Sequence, residues 1–395
     1  MRKRIAIIGS GVAALHLTYA ILKDELMDVT IITKQTPDEL RNNRIHSSQV
    51  HYGPTRYREN YYGMPAWDEA LAIDSIRVVF GGQDLFVGQL HESGLSVDQR
   101  YYAPRYMEDL IDRGVSFRYE RVTKETLEEL VEEFDLVVDC TGRTSSLVPY
   151  QDDKKLTTVH SPKRKCIIGY FLGLQRETRS AFNLHILPEV GELFEFPIIT
   201  EKGPITTLYI EAIPDGDLDL FKGIKTPEDF TEKMKSTMQT FFPEVYERID
   251  QQQFRLLDEK AFMQIAINPY VKIPYTLVNG KLIVGCGDCV VLNDPFTGQG
   301  ANTASYCAEQ LYFTLREELE SGWTEQTGRK YWEKINDYVT AVSEWSNASV
   351  DPLPEQVMNF LMQATQDQNM ADQFVNWTSN PKAAHKVFYA QGVSK

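Results

Sequence analysis

Arg4-Ile-Ala-Ile-Ile-Gly9-Ser-Gly11-Val-Ala-Ala14 stands at the start of the chain, and Asp28-Val-Thr-Ile-Ile-Thr33 follows after a helix-length interval. The first apolar run predicts a short buried strand. Val12, Leu15, Tyr19 and Leu22 recur at helical spacing, and the second apolar run returns to a strand. The unit is βαβ, with GxGxxA at its first turn. Gly9 permits the tight turn, Gly11 lets the backbone approach a pyrophosphate, and Ala14 allows the helix to pack closely on the strand. The expected fold is therefore α/β, with α+β character farther on, built on a Rossmann-like dinucleotide-binding domain. The acidic residue that would grip an adenosine ribose is missing, because Thr33-Lys34 stands in its place. The adenosine end is then held loosely or by other contacts.

A second glycine-rich block lies late in the chain: Lys281-Leu-Ile-Val-Gly-Cys-Gly-Asp288, then Asn293-Asp-Pro295-Phe-Thr-Gly298-Gln299-Gly300-Ala301-Asn302. It predicts a buried strand, a turn ending in Asp288, a Pro/Gly loop, and a helix from about Gly300 through Ala304, Ala308 and Leu311. Such a loop brings backbone N–H groups and a helix N-terminus to one point, which suits an electron-rich ligand edge. Between the two blocks the sequence predicts a hairpin over 77–90, a helix opened by Ser96-Val-Asp98-Gln-Arg100, a strand from Val115 and an acidic helix over 124–134. Asp135-Leu-Val-Val-Asp139-Cys-Thr-Gly142 then reads as a buried strand ending in a glycine turn.

From about Ser145 the texture changes to aromatic-rich alternation, as in Glu192-Leu-Phe-Glu-Phe and Thr206-Thr-Leu-Tyr-Ile-Glu-Ala. Period-two runs between Gly/Pro signals predict an inserted antiparallel sheet, whose aromatic faces suit an apolar ring as well as they suit a core. The expected division is 1–146 and 261–320 for the dinucleotide domain, 147–260 for the inserted sheet, and 321–395 for a helical C-terminal region.

With 395 residues, 42% of them hydrophobic, the chain has enough material for two or three domains. A net charge of −15 disfavours nucleic acid and anionic membrane surfaces as partners. No apolar run approaches a membrane span, and the first is too short for a signal peptide, so a cytoplasmic protein is expected. Five cysteines give no disulfide framework. Cys286-Gly-Asp-Cys289 lies within a strand-to-turn junction with no second pair for zinc, and a redox role is disfavoured. Cys140 reads as a small core residue. No metal site is indicated: His16 reads as a helix-face residue, and His46 and His51 lack spaced partners. In the polar stretch 41–51, Arg44 is a candidate phosphate partner because a guanidinium fork suits phosphate oxygens.

Taken together, Gly9-Ser-Gly-Val-Ala-Ala-Leu-His-Leu17, Ser96–Arg100, Asp139-Cys-Thr-Gly142 and Gly287-Asp288 with Asn293–Asn302 resemble the p-hydroxybenzoate-hydroxylase-type FAD enzymes. Within these the chain is most similar to the oxygenase components of styrene and indole monooxygenases. The resemblance implies an enzyme without a nicotinamide site, supplied with reduced FAD by a separate NAD(P)H-dependent flavin reductase and admitting a homodimer. It implies a C4a-hydroperoxide formed with O₂ and transfer of one oxygen to a small aromatic substrate. It places Gly9, Gly11, Ala14, Arg44 and Arg100 with the cofactor, together with Asp288, Pro295, Gly298, Gln299, Gly300 and Ala301. Asn302, Ser47, Gln49 and His51 fall beside ring and substrate. Ser47 and Gln49 look closer to the indole type and His51 to the styrene type, so indole is slightly favoured. Two rivals stay open: a single-component NAD(P)H-dependent hydroxylase or flavin-dependent reductase, and a non-catalytic flavin-binding protein. A halogenase is disfavoured by the lack of a WxWxIP segment.

Overall fold

A computed structural model describes residues 2–144 and 147–390. The βαβ unit forms as expected: strand Lys3–Ile8, helix Val12–Asp24 and strand Met27–Thr33. These strands join a six-stranded sheet in the order Tyr275–Val278, Lys281–Gly285, Leu136–Asp139, Lys3–Ile8, Met27–Thr33 and Ser116–Tyr119. The pairing is parallel except for the terminal hairpin of Tyr275–Val278 with Lys281–Gly285. Ile5, Ile7, Val138, Ile283 and Val284 are fully buried, as a sheet covered on both faces requires. The strands from both ends of the sequence thus lie side by side, with the 136–139 strand between them.

The second sheet has nine strands and is mostly antiparallel. Its central strands are Lys165–Leu172, Gly203–Ala212, Gly191–Thr200 and Phe182–Leu187. It extends beyond the segment marked by the change in texture. The hairpin Ala72–Phe80 with Gln83–Asp98 and the short strand Ser48–His51 belong to it, and so does Phe262–Ala266. Residues placed by sequence in the dinucleotide domain therefore build the wall that faces it. Pairing of Gln49 with Val97 and of Arg77 with Asn183 produces this, and such long-range register leaves no local mark.

One face of this sheet (Ile167, Phe171, Leu193, Leu208, Ile210) packs under the helix Pro227–Phe241 through Phe230, Met234 and Met238. The other face presents Ile168, Tyr170, Phe194, Phe196 and Tyr209. The helical C-terminal region lies against the strand Gln83–Asp98. There a Cβ on Gly88 would come within 2.5 Å of the Ala371 carbonyl, and Trp377 is 2% exposed. No described helix is long and apolar enough to cross a membrane.

Candidate active site

Three strand ends align at the carboxyl edge of the parallel sheet, since Ile8 and Gly285 both pair with Asp139. The Cys140 N–H donates to the Ile8 carbonyl at 2.8 Å and the Cys286 N–H to the Asp139 carbonyl at 2.9 Å. The loops beginning at Gly9, Cys140 and Cys286 therefore leave the sheet together, which is where open α/β sheets bind ligands. Gly9 has φ +119°, and a Cβ there would lie 2.4 Å from the Cys140 carbonyl oxygen, so only glycine fits. Gly287, at φ +82°, lets the second loop close on the first helix: its Cβ would meet that of Ala13 at 2.9 Å and that of Ala304 at 3.8 Å.

The helices Val12–Asp24 and Gly300–Glu317 thus converge, and both begin without a side-chain cap, at Gly11 and Gln299. Elsewhere Asp98, Thr123 and Thr226 accept from the first-turn N–H groups of their helices. A Cβ on Gly11 or Gly300 would meet no protein atom within 4 Å. Two positive helix ends, each fronted by a side-chain-free residue and open space, make a site for an elongated, electron-rich ligand. Ala14, fully buried, supports the close packing.

The loop residues divide by task. Asp288 is partly exposed, and the Tyr270 hydroxyl donates to its main-chain oxygen at 2.6 Å. No described residue donates to its carboxylate. Burial raises this carboxyl above its ordinary pKa, opposed by the charge of Arg143. A carboxylate without a protein donor suits the hydroxyls of a ligand. Asp294 caps the turn Pro295–Thr297 by accepting from the Phe296 N–H at 3.1 Å, and burial raises it to about 6. Gly298, at φ +65°, lies against the Tyr52 hydroxyl. The Gln299 amide donates to the carbonyls of Thr297 (3.2 Å) and Thr378 (2.9 Å), while its buried oxygen has no partner.

Asn302 uses its whole amide to tie this loop to the strand Ser48–His51. Its oxygen accepts from the Tyr52 N–H (3.0 Å) and the Thr55 hydroxyl (2.7 Å); its nitrogen donates to the carbonyls of Val50 and Gly298, both at 2.9 Å. Arg143 makes a further tie, donating to the His46 carbonyl at 3.3 Å. Ser47, Gln49 and His51 are thereby brought beside the cradle. The Ser47 hydroxyl donates to the Gln99 amide oxygen (2.7 Å), the Gln49 amide to Ser47 (3.2 Å), and His51 faces the Gln49 oxygen (3.1 Å) and the Glu59 carboxylate (2.6 Å).

Two arginines expected at the cofactor have protein partners of their own. Arg44 is exposed and lies over the Phe262 ring, 4.5 Å from its centroid. Arg100 is buried and engaged by Asp98 at 2.8 Å and Asp258 at 3.1 Å. Sequence reasoning missed Glu59, eight residues beyond His51 on the helix Gly53–Tyr61, where no spacing rule points to it. His16, His51 and Glu59 gather within 4.8 Å, all buried. Glu59 and His51 are closed on each other by a hydrogen bond rather than open to an ion. The thiols of Cys140, Cys289 and Cys307 are pushed well up in pKa, with burial a cause at each and the neighbouring Cys286 thiol the largest at Cys140. Buried thiols of this kind are unreactive.

The inserted sheet meets the loop through aromatic rings. Phe194 stacks on Tyr209 with centroids 5.2 Å apart and contacts Phe296 of the loop edge-on at 5.6 Å. Residues 142–248 match the family described as "Styrene monooxygenase A putative substrate binding domain". The chain is 32% identical to styrene monooxygenase StyA from Pseudomonas sp, over 97% of this chain and 94% of that protein. It is 31% identical, over the same shares, to StyA from Pseudomonas fluorescens. The chain belongs to the styrene monooxygenase family.

Membership makes it a monooxygenase of the FAD-dependent kind and implies a flavin cofactor. Solved structures extend the likeness at the level of fold. PqsL from P. aeruginosa in complex with 2-aminobenzoylacetate superposes with a TM-score of 0.68 at 15% identity, covering 94% of this chain and 99% of that one. p-Nitrophenol 4-monooxygenase PnpA from Pseudomonas putida gives 0.65 at 13%, covering 96% and 98%. The flavin-dependent brominase Bmp2 gives 0.65 at 14%, covering 99% and 96%. The cradle fits the flavin of the styrene monooxygenase family: Gly11 and Gly300 leave room for it, the two helix ends suit its electron-rich parts, and Asp288 has acceptor capacity to offer.

Proposed function

We propose that the chain is the oxygenase component of a two-component system. It takes reduced FAD from a separate NAD(P)H-dependent reductase, uses O₂, and epoxidises a small aromatic alkene or indole. The observation that carries this reading is the contact of Phe296, on the cofactor loop, with the aromatic face at Phe194 and Tyr209. An apolar ring held on that face would lie beside the loop that would hold the cofactor, and away from water.

Bound reduced FAD supplies the activation of O₂ and the electrophilic oxygen, so the protein needs no nucleophile. Its residues hold and orient. Gly9, Gly11 and Ala14 would seat the pyrophosphate at the first helix end, and Asp288 would accept from ribityl hydroxyls. Pro295 packs beside the ring without offering a donor. The Gly298 N–H is taken by the Pro295 carbonyl at 2.9 Å, so the N–H groups of Gln299 to Ala301 are the ones that would stabilise the negative charge of a reduced ring. Asn302 fixes the distance between this loop and Ser47, Gln49 and His51. The phenyl rings keep water out of the transfer step. Ser47 and Gln49 favour indole.

Photochemically reduced FAD, O₂ and either indole or styrene, given to the protein without reductase, test the proposal. Blue pigment from indole and epoxide from styrene are expected, with indole turned over faster. Absence of both products overturns it, and consumption of NAD(P)H by the protein with FAD alone favours the single-component rival.

A further inference from the structure

Ser47, Gln49, His51 and Glu59 form one continuous hydrogen-bond chain with a buried end and a partly open end. Glu59 is 1% exposed and His51 fully buried, whereas Ser47 and Gln99 are only partly buried. The open end lies where cradle and sheet join: Arg143 donates to the carbonyl of His46, and the Tyr170 hydroxyl to that of Ser47 at 3.3 Å. At the buried end Glu59 also accepts from Arg56 at 2.6 Å.

Other groups surround the imidazole. His16 comes from the first helix, 3.7 Å from Glu59, with neither ring nitrogen hydrogen-bonded. Tyr102 lies 5.4 Å from His51 between ring centroids, with Tyr106 behind it, and Trp67 lies at 4.9 Å. Arg58 adds positive charge near His16. Burial alone would raise the Glu59 carboxyl, but His51, hydrogen-bonded to it at 2.6 Å, and the nearby His16 ring hold it well below the usual range. Burial lowers His16 and keeps it neutral. Glu59 is therefore an ionised acceptor, and the Nδ1 of His51 at 2.6 Å carries a proton toward it.

The remaining polarity follows link by link. In the charged form of His51, Nε2 also carries a proton and donates to the Gln49 oxygen 3.1 Å away. Gln49 then donates to Ser47, Ser47 donates to the Gln99 oxygen, and the Gln99 NH₂ is left to point outward. Loss of the Nε2 proton to solvent would leave two acceptors facing each other. Turning the Gln49 amide, the Ser47 hydroxyl and the Gln99 amide restores every bond in the opposite direction, and Gln99 then shows its carbonyl. We propose that Glu59 is a positioning residue which fixes the Nδ1–H form of His51, and that the charge of His51 sets the direction of the chain. The charged state presents an N–H donor at the open end and the neutral state presents an acceptor. That this end meets reduced flavin or substrate rests on the oxygenase reading; the reversal of the chain does not.

The test uses ¹⁵N-histidine NMR of the ligand-free protein, titrated from pH 5 to 9. Seven histidines are present. His51 is assigned by its loss in His51→Asn or, if that variant does not fold, by through-space contacts to Trp67. The expected result is an imidazolium at low pH that loses the Nε2 proton and keeps Nδ1–H. In Glu59→Gln the neutral form is expected to shift toward Nε2–H, and the titration to move to lower pH by at least about one unit, tenfold in proton affinity. Gln49→Leu should leave the titration in place. In coupled assays with chemically reduced FAD, product per flavin should fall as the wild type is taken from pH 5 to 9, and that dependence should vanish in Gln49→Leu. A wild-type His51 that is Nε2–H across the range, or a tautomer unmoved by Glu59→Gln, overturns the proposal. Absence of product at every pH with the NMR behaviour intact overturns the oxygenase reading instead.

Discussion

The cradle and the aromatic face meet at Phe296 but are made of different material. The cradle is backbone: two uncapped helix ends, a loop closing at Gly287 on Ala13 of the first helix, and positions where a methyl group has no room or has no protein neighbour. The aromatic face is side chain: Phe194 and Phe196 from one strand and Tyr209 from its neighbour, brought into one layer by the antiparallel register of Gly191–Thr200 with Gly203–Ala212. Backbone sites recognise features shared by every member of a cofactor class, whereas side-chain surfaces can be changed one residue at a time. On the function proposed above, the first region would hold the cofactor and the second the ring of the substrate.

Substitutions can break that comparison. The largest effect is expected from Gly9→Ala, where a Cβ meets the Cys140 carbonyl and φ is positive. About 4 kcal/mol of stability should be lost, together with FAD binding, as read by urea unfolding and flavin titration. Phe194→Ala should cost about 3 kcal/mol through the cavity it leaves. It should raise the KM for the aromatic substrate while leaving the FAD affinity within about twofold. A fall in FAD affinity as large as at Gly9 would erase the distinction between the regions.

Asp294 sits at the junction and gives an effect of intermediate size. Its folded pKa of about 6 lies above the ordinary carboxyl value because burial disfavours the charge, with Arg164 and the Phe296 N–H opposing and Glu192 adding to the rise. The folded state therefore binds this proton more tightly than the unfolded state. The contribution is full below about pH 4 and is lost as pH rises through 6. Asp294→Asn keeps the cap on Phe296 and should remove this decline, gaining on the order of 2 kcal/mol at pH 7 relative to the wild type in paired unfolding curves at pH 4 and 7. Equal stability differences at both pH values would contradict the assignment. The smallest effect on stability is expected from Gly11→Ala, under about 0.5 kcal/mol, since no protein atom opposes the added methyl. Its FAD affinity should still fall at least about tenfold, because the space belongs to the ligand.

The same contrast explains what the sequence made legible. Gly9, Gly11, Ala14 and the 285–302 block could be read because a tight turn, a close approach and a helix start each restrict residue type locally. The aromatic alternation announced a sheet for a similar reason. Ser48–His51 is a four-residue strand whose place depends on pairing with residues 95–98, so its sequence reads as a polar loop. Glu59 was hidden because its partner His51 lies across a strand–helix junction and no periodicity connects them. Arg100 looked available in sequence, yet Asp98 and Asp258 flank it in the fold. Side-chain sites assembled across the chain leave little local trace, whereas backbone sites do leave one.

The central proposal is that the helix end at Gln299–Ala301 favours a reduced, negatively charged flavin delivered from outside. Anaerobic titration of the ligand-free protein with reduced FAD, paired with aerobic titration with oxidised FAD, tests it most directly. The account predicts that reduced FAD binds at least about tenfold more tightly, a difference of about 1.4 kcal/mol. Equal affinity, or tighter binding of the oxidised form, would contradict it.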